Sequence, residues 1–430
     1  MNAAQTRSAR PWPAPQRTTP LEAQVLVPGS KSLTNRLLVL AALGDDPSAL
    51  TLPLASRDTD LMVDALTSLG ARVERDGAVW TVIPATHGVM GDVAVDCGLA
   101  GTVMRFVPPI AALSRASVTL DGDERARVRP MSTTITALRA LGVEVEDGGH
   151  PALPFTVHGT GHVKGGELQI DASASSQFVS ALLLTAPRFD LGLDLHHTGP
   201  PMPSHPHVEM TVTELRRRGV DVDDSASDRW VVRPGPIASL DAVVEPDLSN
   251  AGPFVAAALV TGGSVRVRSW PESTTQAGDA WRSIADSFGG HAERDGGDMI
   301  FSAGETLAGV ELDLHEIGEL TPVVAAVAAL AESETRLSGV AHLRGHETDR
   351  LAAIAAEINR LGGDVQERED GLIIRPRPLH SGVVSTYDDH RMAQAAVVLG
   401  LRVPGLLVEN VGTTAKTYPD FASVWERFVA

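Results

Sequence analysis

The stretch from Gly29 to Leu43, GSKSLTNRLLVLAAL, joins a short polar lead to a run of Ala, Leu and Val that is typical of a buried helix. The same arrangement returns five more times, as GLAGTVMRFVPPIAAL (98–113), SASSQFVSALLLTA (173–186), DLSNAGPFVAAALV (247–260), IGELTPVVAAVAAL (317–330) and YDDHRMAQAAVVLGL (387–401). Matching positions in these leads lie 69 to 75 residues apart. Self-similarity at so regular a period predicts a repeat architecture.

A second element recurs between these helices and consists of an amphipathic run, a glycine and a short hairpin. In its first copy Met62, Ala65, Leu66 and Leu69 follow the i, i+3, i+4, i+7 spacing of a surface helix. The glycine at position 70 is expected to form a left-handed C-cap. The Asp-Gly pair at 76–77 is expected to form a tight turn ahead of a strand at 79–83.

Each repeat is therefore predicted as strand, buried helix, strand, amphipathic helix, strand, strand. A single unit of this kind cannot bury its apolar helix, but three stacked units can place their helices together behind their sheets. We predict an α/β protein of six repeats, three in each of two domains, with a crossover near residues 240 to 246. A continuous solenoid and two closed lobes both fit this pattern.

Composition limits the classes of function. A chain of 430 residues is long enough for two domains. Its formal net charge of −18 disfavours nucleic acid or an acidic membrane surface as a partner. The single cysteine, Cys97, excludes an internal disulfide and is expected to be a buried, inert thiol in a cytoplasmic protein. No apolar stretch is long enough to cross a bilayer. Residues 1–20 are polar and proline-rich, and we expect a flexible tail there rather than a signal peptide.

The polar leads carry chemistry suited to anions. Helix N-termini present unpaired amides and a partial positive charge, so converging leads would attract phosphates and carboxylates. Cations and hydroxyls stand at the same positions, namely Lys31, Ser32, Arg36, Thr102, Arg105, Ser175, Ser176, Gln177, His390 and Arg391. Only three basic residues are lysines, at 31, 164 and 416, so Lys31 and Lys416 mark places where a compact ammonium matters. Glu319 and Glu347 add the carboxylates that proton transfer needs.

Other chemistries fit the sequence less well. The GSKS stretch lacks the first glycine of a P-loop, because position 25 is Val, and GLAG is not a dinucleotide fingerprint. Four histidines, at 196, 197, 205 and 207, match no standard zinc spacing and are interpreted as loop histidines. Neither a metal nor a cofactor is expected.

Seven motifs, in order along the chain, resemble the signatures of one family: PGSKSLTNR (28–36), GLAGTVMRF (98–106), RPM (129–131), SSQF (175–178), HETDR (346–350), DDHRM (388–392) and TAKTYPDF (414–421). The chain is identified by them as a member of the 5-enolpyruvylshikimate-3-phosphate synthases. The resemblance implies two lobes, each an inverted α/β barrel of three repeats, with the active site in the cleft between them. It implies a domain at 30–242 that binds mainly shikimate 3-phosphate, and a second domain of 21–29 plus 243–430.

The resemblance also assigns residues. It implies that phosphoenolpyruvate is held by Lys31, Gly101, Arg129, Gln177, Arg350, Arg391 and Lys416. It implies that shikimate 3-phosphate is held by Lys31, Ser32, Arg36, Ser175, Ser176, Gln177, Ser204, Glu319, His342 and His346. Lys31, Glu319 and Glu347 take the catalytic positions. Several positions depart from the residues common in the family, namely Leu99, His207, Glu319, His342 and His346, and the charge of His346 would be conditional on pH.

The implied reaction adds the 5-hydroxyl of shikimate 3-phosphate to C2 of phosphoenolpyruvate, protonates C3 and then releases phosphate. Two alternatives remain: the related UDP-N-acetylglucosamine enolpyruvyl transferase, which uses a reactive loop cysteine, and a non-catalytic repeat scaffold. For partners we expect only the two small-molecule substrates, with no nucleic acid and no membrane, and a monomeric protein.

Overall fold

The computed structural model describes residues 10–85 and 89–430. The chain divides into two compact units. The first unit is Gly29–Glu245, and the second unit joins the segment ending at Pro28 to Pro246–Ala430. The chain therefore passes from one unit to the other twice, at 28/29 and at 245/246. Sequence had placed these passages at 29/30 and 242/243, with a crossover near 240 to 246.

The described residues form 23 strands and 12 α-helices. The strands are β1 Trp12–Pro13, β2 Glu22–Val25, β3 Ser48–Thr51, β4 Arg72–Asp76, β5 Val79–Ile83, β6 Met90–Asp96, β7 Arg115–Asp121, β8 Glu144–Glu146, β9 Phe155–His158, β10 Gly166–Ile170, β11 Leu193–His197, β12 Val222–Asp223, β13 Arg229–Val232, β14 Ala242–Val243, β15 Ser264–Val267, β16 His291–Asp295, β17 Asp298–Ser302, β18 Glu311–Asp313, β19 Thr335–Ser338, β20 Asp364–Glu367, β21 Leu372–Arg375, β22 Val383–Val384 and β23 Leu407–Val408. The helices are α1 Lys31–Ala42, α2 Arg57–Ser68, α3 Gly101–Ala112, α4 Ser132–Ala140, α5 Gln177–Thr185, α6 Pro206–Arg217, α7 Gly252–Thr261, α8 Trp281–Ser287, α9 Thr321–Ala329, α10 Arg350–Arg360, α11 His390–Gly400 and α12 Phe421–Val429.

The strands form six small sheets, three in each unit, across the part of the chain that the structure describes. The first unit contains β14-β3-β5-β4, β6-β7-β9-β8 and β10-β11-β13-β12, and the second contains β2-β15-β17-β16, β18-β19-β21-β20 and β22-β23-β1. In the complete repeats the first two strands are parallel and flank a buried helix, and the last two form an antiparallel hairpin. The predicted order of elements within a repeat is therefore confirmed.

The odd-numbered helices are the apolar ones predicted from the leads. Every residue of α7, α9 and α11 is buried. Each unit has its own apolar core, and these helices form its centre. Because the surfaces of α7 and α9 are apolar on nearly every side, these two helices are stable only when covered all round.

The even-numbered helices cover the sheets with one face, as the amphipathic pattern predicted. In α2 the stripe from Met62 to Leu69 is buried, while Asp64 and Thr67 face solvent. The residue after Leu69 is Gly70, whose φ of 101° lies in the region that glycine adopts without strain. The hairpin that follows pairs Asp76 with Val79 and turns through Gly77. All three local predictions are confirmed.

Two repeats exchange their first strands, which the period does not reveal. The strand that precedes α1 in sequence is β2, but β2 pairs with β15 in the second unit. Its place in the first unit is taken by β14, whose residues Ala242 and Val243 pair with Leu50 and Thr51. Each unit is thus closed by a strand from a distant part of the chain.

The segment expected to be a loose tail is ordered where the structure describes it. Strand β1 runs antiparallel to β23, pairing Trp12 with Val408. The Trp12 indole donates to Glu426 at 2.9 Å, and Arg17 donates its backbone N–H to Leu401 and a guanidinium N–H to Val429. The expectation was wrong for residues 10–20, because the sixth repeat has no hairpin of its own and β1 supplies its missing strand. Residues 1–9 lie outside the described residues.

None of the described helices combines the length and the apolar character that crossing a membrane requires. The Cys97 thiol is wholly buried, and burial raises its pKa to about 12. The prediction of a buried thiol is confirmed.

Candidate active site

The polar leads become helix starts, as predicted. Matching positions of the six leads lie within two residues of the starts of α1, α3, α5, α7, α9 and α11, namely Lys31, Gly101, Ser176, Asn250, Glu319 and His390. Ser30 caps α1 by accepting from the Leu33 N–H, and Asp389 caps α11 by accepting from the Arg391 N–H. Helix α3 begins without a side-chain cap, because its N-cap residue is Ala100, whereas at α5 the Ser175 hydroxyl accepts from the Gln177 N–H at 3.3 Å.

In the first unit, the starts of α3 and α5 meet around Gly101. A methyl group at Gly101 would lie 3.1 Å from each of three side-chain atoms, Nη1 of Arg105, Nη2 of Arg129 and Oε1 of Gln177. Only a residue without a side chain leaves room for these groups to converge. The Gln177 Oε1 atom is buried without a hydrogen-bond partner. Two guanidinium groups beside uncapped amides form a local positive site in an acidic protein.

Lys31 is the first residue of α1 and lies on the same side of the first unit as the starts of α3 and α5. The buried Asn35 amide, one turn further along α1, donates to Thr102 Oγ1 of α3 at 2.7 Å and ties the two helices together. The Lys31 ammonium is 3.3 Å from the carboxylate of Asp58, which is almost completely buried. Asp58 lies in the first turn of α2 and was not singled out from the sequence, because an acidic residue there is also a common helix-start feature.

Arg36 is enclosed more deeply than its predicted role suggests. Its side chain donates to the Thr211 hydroxyl at 2.8 Å, to the Ser180 hydroxyl at 3.2 Å and to backbone carbonyls of Ser32 and His207 at 3.0 and 2.8 Å. Burial lowers the Arg36 pKa to about 9, opposed by the negative charge of Glu214. Arg36 therefore joins α1, α5 and α6, and ligand contact would require it to exchange one of these bonds.

The predicted serines lie on two neighbouring loops of the first unit. Ser175 and Ser176 directly precede α5, and the Ser175 hydroxyl accepts from the Gln177 N–H at 3.3 Å. Ser204 precedes α6 and adopts a positive φ of 57°. A non-glycine residue held in that region indicates a backbone fixed by its surroundings.

In the second unit, a compact ionic cluster surrounds Glu347. Its carboxylate accepts from Lys416 Nζ at 2.5 Å and from Arg350 Nη2 at 3.0 Å. Arg350 also binds the fully buried Asp389 through Nε and Nη2, at 2.8 and 3.2 Å. Burial alone would lower the Arg350 pKa, but Asp389 and Glu347 outweigh burial and raise it. Two cations thus face two carboxylates, and Asp389 holds Arg350 from behind.

Glu319 and Arg391 lie at the starts of neighbouring buried helices of the second unit. Glu319 belongs to the short 3₁₀ turn His315–Leu320 ahead of α9, and Ser249 donates to its Oε1 at 3.4 Å. Burial lowers the Arg391 pKa, and the negative charges of Asp247 and Glu319 oppose that shift. The Gln394 side chain donates to Asn250 at 2.8 Å and joins α11 to the start of α7.

Two of the predicted ligands are histidines next to this cluster. His342 Nε2 is buried without a hydrogen-bond partner, and burial together with the nearby His315 lowers the His342 pKa to about 4. His346 Nδ1 lies 3.2 Å from Arg350 Nη1. Because an arginine can only donate, His346 must accept through Nδ1, which requires a neutral ring. In this arrangement His346 carries no positive charge, whereas the sequence predicted a charge conditional on pH.

The structure gathers the predicted residues into two sets. The first unit brings together Gly101, Arg129 and Gln177, with Ser175 and Ser176 directly ahead of α5 and Lys31 at the start of α1. The second unit brings together Glu347, Arg350 and Lys416, with Glu319 and Arg391 on adjacent starts. Sequence reasoning missed Asp58, Asp389 and Ser249. Asp389 stands inside the quoted motif DDHRM, so its place ahead of a helix was the available signal.

The four histidines set aside from a zinc site do not share one setting. His196 and His197 end strand β11, and His205 and His207 lie at the start of α6, so interpreting all four as loop residues was wrong. His196 contacts Asp194 at 3.0 Å, and His205 contacts Glu209 at 3.5 Å. Within residues 10–85 and 89–430, no group of three or more His, Cys, Asp or Glu side chains is placed to hold a metal ion.

Fold and site together define an α/β repeat protein that presents helix starts, cations and carboxylates to phosphorylated small molecules. The chain belongs to the EPSP synthase family, whose model is described as EPSP synthase (3-phosphoshikimate 1-carboxyvinyltransferase) and matches residues 15–425. It is 55% identical, over 97% of its length and 96% of the relative, to the 3-phosphoshikimate 1-carboxyvinyltransferase of Kocuria rhizophila. Two solved structures of EPSP synthase from Acinetobacter baumannii share the fold, with TM-scores of 0.78 and 0.77 at 23% identity, each covering 96% of this chain and 97% of the other.

Proposed function

We propose that the two residue sets act on one pair of substrates while the chain carries out the reaction of its family, the transfer of an enolpyruvyl group from phosphoenolpyruvate to shikimate 3-phosphate. In this reaction the 5-hydroxyl oxygen bonds to C2 of phosphoenolpyruvate, its proton leaves, and C3 gains a proton. The tetrahedral intermediate then expels phosphate and loses the C3 proton again. The observation that carries the assignment of residues is the Glu347 carboxylate held between the ammonium of Lys416 and the guanidinium of Arg350.

Phosphoenolpyruvate is assigned to cations of both sets. A phosphate next to Gly101 would meet Arg129 and the uncapped amides at the start of α3, where the missing side chain allows close approach. Its carboxylate would be held by Arg350 and Arg391, since a planar guanidinium matches a carboxylate in two bonds. The remaining contacts are assigned to Lys31, Gln177 and Lys416.

Shikimate 3-phosphate is assigned mainly to the first unit. Ser175, Ser176 and Ser204 lie on adjacent loops and offer hydroxyl donors to its phosphate, while Ser32 and Arg36 lie on the first turns of α1. The second unit would contribute Glu319, His342 and His346. Both substrates are thus assigned residues from each unit.

Proton transfer is assigned to the two carboxylates. Glu319 would accept the proton of the 5-hydroxyl, and Glu347 with Lys31 would handle the proton at C3. Two cations already bonded to Glu347 favour its charged form, so delivery of that proton calls for Lys416 to share it. Preorganised cations around the phosphate are expected to stabilise the developing charge and to provide the largest part of the rate enhancement.

The state of the Cys97 thiol disfavours the alternative reaction, the transfer of the enolpyruvyl group to UDP-N-acetylglucosamine. A reactive cysteine needs an accessible thiolate, whereas Cys97 is buried and its pKa is raised to about 12. We further propose that the protein is a cytoplasmic monomer that binds no nucleic acid and uses no metal or cofactor.

One assay tests the assignment: phosphate release from phosphoenolpyruvate with shikimate 3-phosphate, with UDP-N-acetylglucosamine, or with neither. Release is expected only with the first acceptor. Lys31→Ala should abolish it, and Lys31→Arg should recover little, because a fork cannot replace a compact ammonium beside Asp58. Lys164→Ala is the matched control, since Lys164 is a lysine that lies outside both sets. Full activity of Lys31→Ala would reject the residue assignment.

A further inference from the structure

Two loops of the first unit carry the serines assigned to shikimate 3-phosphate. The serine loop, residues 171–176, leads from β10 into α5 and holds Ser175 and Ser176. The proline segment, residues 198–204, leads from β11 towards α6 and ends at Ser204. The two loops leave neighbouring parallel strands, since Ile170 of β10 pairs with His197 of β11. Because both loops must bind one ligand, the distance between them has to be fixed.

His197 lies between the two loops and bonds to both. It is the last residue of β11, and only 9% of its surface is exposed. Its Nδ1 atom lies 3.1 Å from the backbone N of Ala172, in the serine loop. Its Nε2 atom lies 2.8 Å from the carbonyl oxygen of Pro200, in the proline segment. One imidazole ring therefore spans the gap between the loops.

The protonation of this ring follows from its partners. A backbone N–H can only donate, so Nδ1 of His197 must accept and carries no proton. A carbonyl oxygen can only accept, so Nε2 must carry the proton and donate it to Pro200. Both nitrogens are satisfied in the neutral ring, and this one tautomer alone makes both bonds.

The hydrogen bond between His197 and Ala172 is coupled to the serines through the backbone. The Ala172 carbonyl, in the residue that His197 holds, accepts from the Ser175 N–H at 3.0 Å. The Ser175 hydroxyl in turn accepts from the Gln177 N–H at 3.3 Å. A displacement of Ala172 would therefore move Ser175 and the first turn of α5 with it.

The hydrogen bond between His197 and Pro200 is coupled to Ser204 through a stretch rich in proline. Pro200, Pro201 and Pro203 lie in the five residues that end at Ser204, and each ring fixes its own φ angle. Met202 between them is buried, and Ser204 is held at a positive φ. The segment is therefore too stiff to absorb a shift of Pro200 before it reaches Ser204.

A close approach beside the histidine indicates that the spacing of the loops is set tightly. Gly199 adopts a φ of 139°, and a methyl group there would lie 3.0 Å from Oδ1 and Cγ of Asp171 in the serine loop. Thr198 continues the contact by donating its backbone N–H to Ile170 at 2.8 Å. The backbones thus meet at their base, and His197 holds them where they begin to separate.

We propose that His197 is a positioning residue that sets the distance between the serine loop and the proline segment, and so the affinity for the phosphate of shikimate 3-phosphate. This inference rests on the proposed assignment of Ser175, Ser176 and Ser204 to that substrate. His197 need not touch the substrate, since it acts through Ala172 on one side and Pro200 on the other.

The test compares steady-state constants of full-length variants in the phosphate-release assay. His197→Phe keeps a ring but loses both bonds, and we expect the KM for shikimate 3-phosphate to rise about tenfold, the equivalent of one or two hydrogen bonds. The KM for phosphoenolpyruvate and kcat at saturation should change several times less, because only Gln177 of the residues assigned to phosphoenolpyruvate lies in the first turn of α5, while Arg350, Arg391 and Lys416 lie in the other unit.

Conservative variants separate positioning from folding. His197→Asn keeps an acceptor near the place of Nδ1, and His197→Gln keeps a donor near the place of Nε2, so each should recover part of the lost affinity. His196→Phe is the matched control: it is the adjacent histidine, points to the opposite face of the strand and contacts Asp194. It should leave both KM values unchanged. If His197→Phe folds poorly, the partial recovery by the Asn and Gln variants still carries the test.

Two results would overturn the inference. An unchanged KM for shikimate 3-phosphate in folded His197→Phe would show that the loops keep their spacing without the imidazole. A parallel rise of both KM values would show a general loss of structure instead. Ser176→Ala and Ser204→Ala report separately on the assignment of the site. If they leave the KM for shikimate 3-phosphate unchanged, the assignment fails, whereas if they raise it and His197→Phe does not, only the positioning role fails.

Discussion

Glu347 shows how a single carboxylate can be tuned by its neighbours. It lies between Lys416 and Arg350, and both cations are themselves nearly buried. In such a setting the two cations favour the ionised carboxylate, while a bound substrate anion would compete for the same cations. In the proposed reaction the charge on Glu347 would therefore limit substrate binding.

We expect Glu347→Gln to lower kcat by about a hundredfold or more, the usual contribution of a general acid or base. The KM for phosphoenolpyruvate should stay constant or fall, because a neutral amide no longer competes for Lys416 and Arg350. Steady-state phosphate release measures both constants. Glu316→Gln, an exposed carboxylate in the turn before Glu319, is the control and should behave as wild type. A raised KM with unchanged kcat would contradict a role in proton transfer.

The buried ring of His342 is expected to make the free energy of unfolding depend on pH. Its folded-state pKa is lowered to about 4, from an ordinary value near 6.5, by burial and by the nearby His315. A lowered folded-state pKa means that the unfolded chain takes up the proton first, so stability is present above pH 6.5 and is lost as pH falls towards 4. The titratable and charged groups around the ring are His315, Glu316, Glu319, His346 and Arg350.

Replacing this histidine by Asn should remove that loss. Between pH 7 and pH 5, the free energy of unfolding of wild type is expected to fall by about 1 to 2 kcal/mol more than that of His342→Asn. Urea unfolding of the second unit at the two pH values measures the difference, and the other titrating groups are common to both proteins. Equal losses in the two proteins would show that the ring is protonated in the folded state as easily as in the unfolded one.

At the scale of elements, the sequence predicted what is local and missed what is distant. The six buried helices, the glycine at position 70 and the hairpin at 72–83 depend on patterns within about a dozen residues. The placement of β14 beside β3 joins residues 192 positions apart, and β1 pairs with β23 across nearly the whole chain. Such pairings leave no periodic signal, because a two-residue strand is fixed by its partner and not by its own sequence.

The same limit applied to the site. The motif leads predicted which residues stand at helix starts, and the structure gathers them there. The orientation of Arg36 was not predictable, because it depends on Thr211 and Ser180, which belong to two other helices. Nor was the neutral ring of His346, because its state is set by Arg350 donating to Nδ1.

Strand β1 is expected to stabilise the second unit. Trp12→Ala removes the indole that contacts Glu426 and weakens the pairing of β1 with β23. We expect the free energy of unfolding to fall by about 1 to 3 kcal/mol, the usual range for losing a partly buried side chain. Urea unfolding followed by circular dichroism measures it. Trp12→Phe, which loses only the hydrogen bond, should cost less than half as much. Unchanged stability of Trp12→Ala would mean that the second unit does not depend on this strand.

At the scale of the whole molecule, two chain segments connect the units, and they are bonded to each other. Ser30 donates its backbone N–H to Glu245 at 2.7 Å, and Asp247 donates to Pro28 at 2.8 Å. One bond lies in each unit, directly beside the two passages of the chain. The two connecting segments are therefore held side by side by one backbone hydrogen bond before and one after the passages.

We therefore expect the radius of gyration to decrease when shikimate 3-phosphate and a phosphoenolpyruvate analogue are both bound, because substrates that need cations from each unit draw the units together. Small-angle X-ray scattering at matched protein concentrations measures the change. Shikimate without its phosphate is the ligand control and should leave the curve unaltered. Gly29→Ala changes the residue at the first passage between the units. Its methyl group would lie 2.4 Å from the Leu52 carbonyl oxygen, a backbone atom that cannot give way easily. The decrease in the radius of gyration should therefore be smaller in this variant. Identical scattering of wild type with and without both ligands would mean that the site is already formed before the substrates arrive.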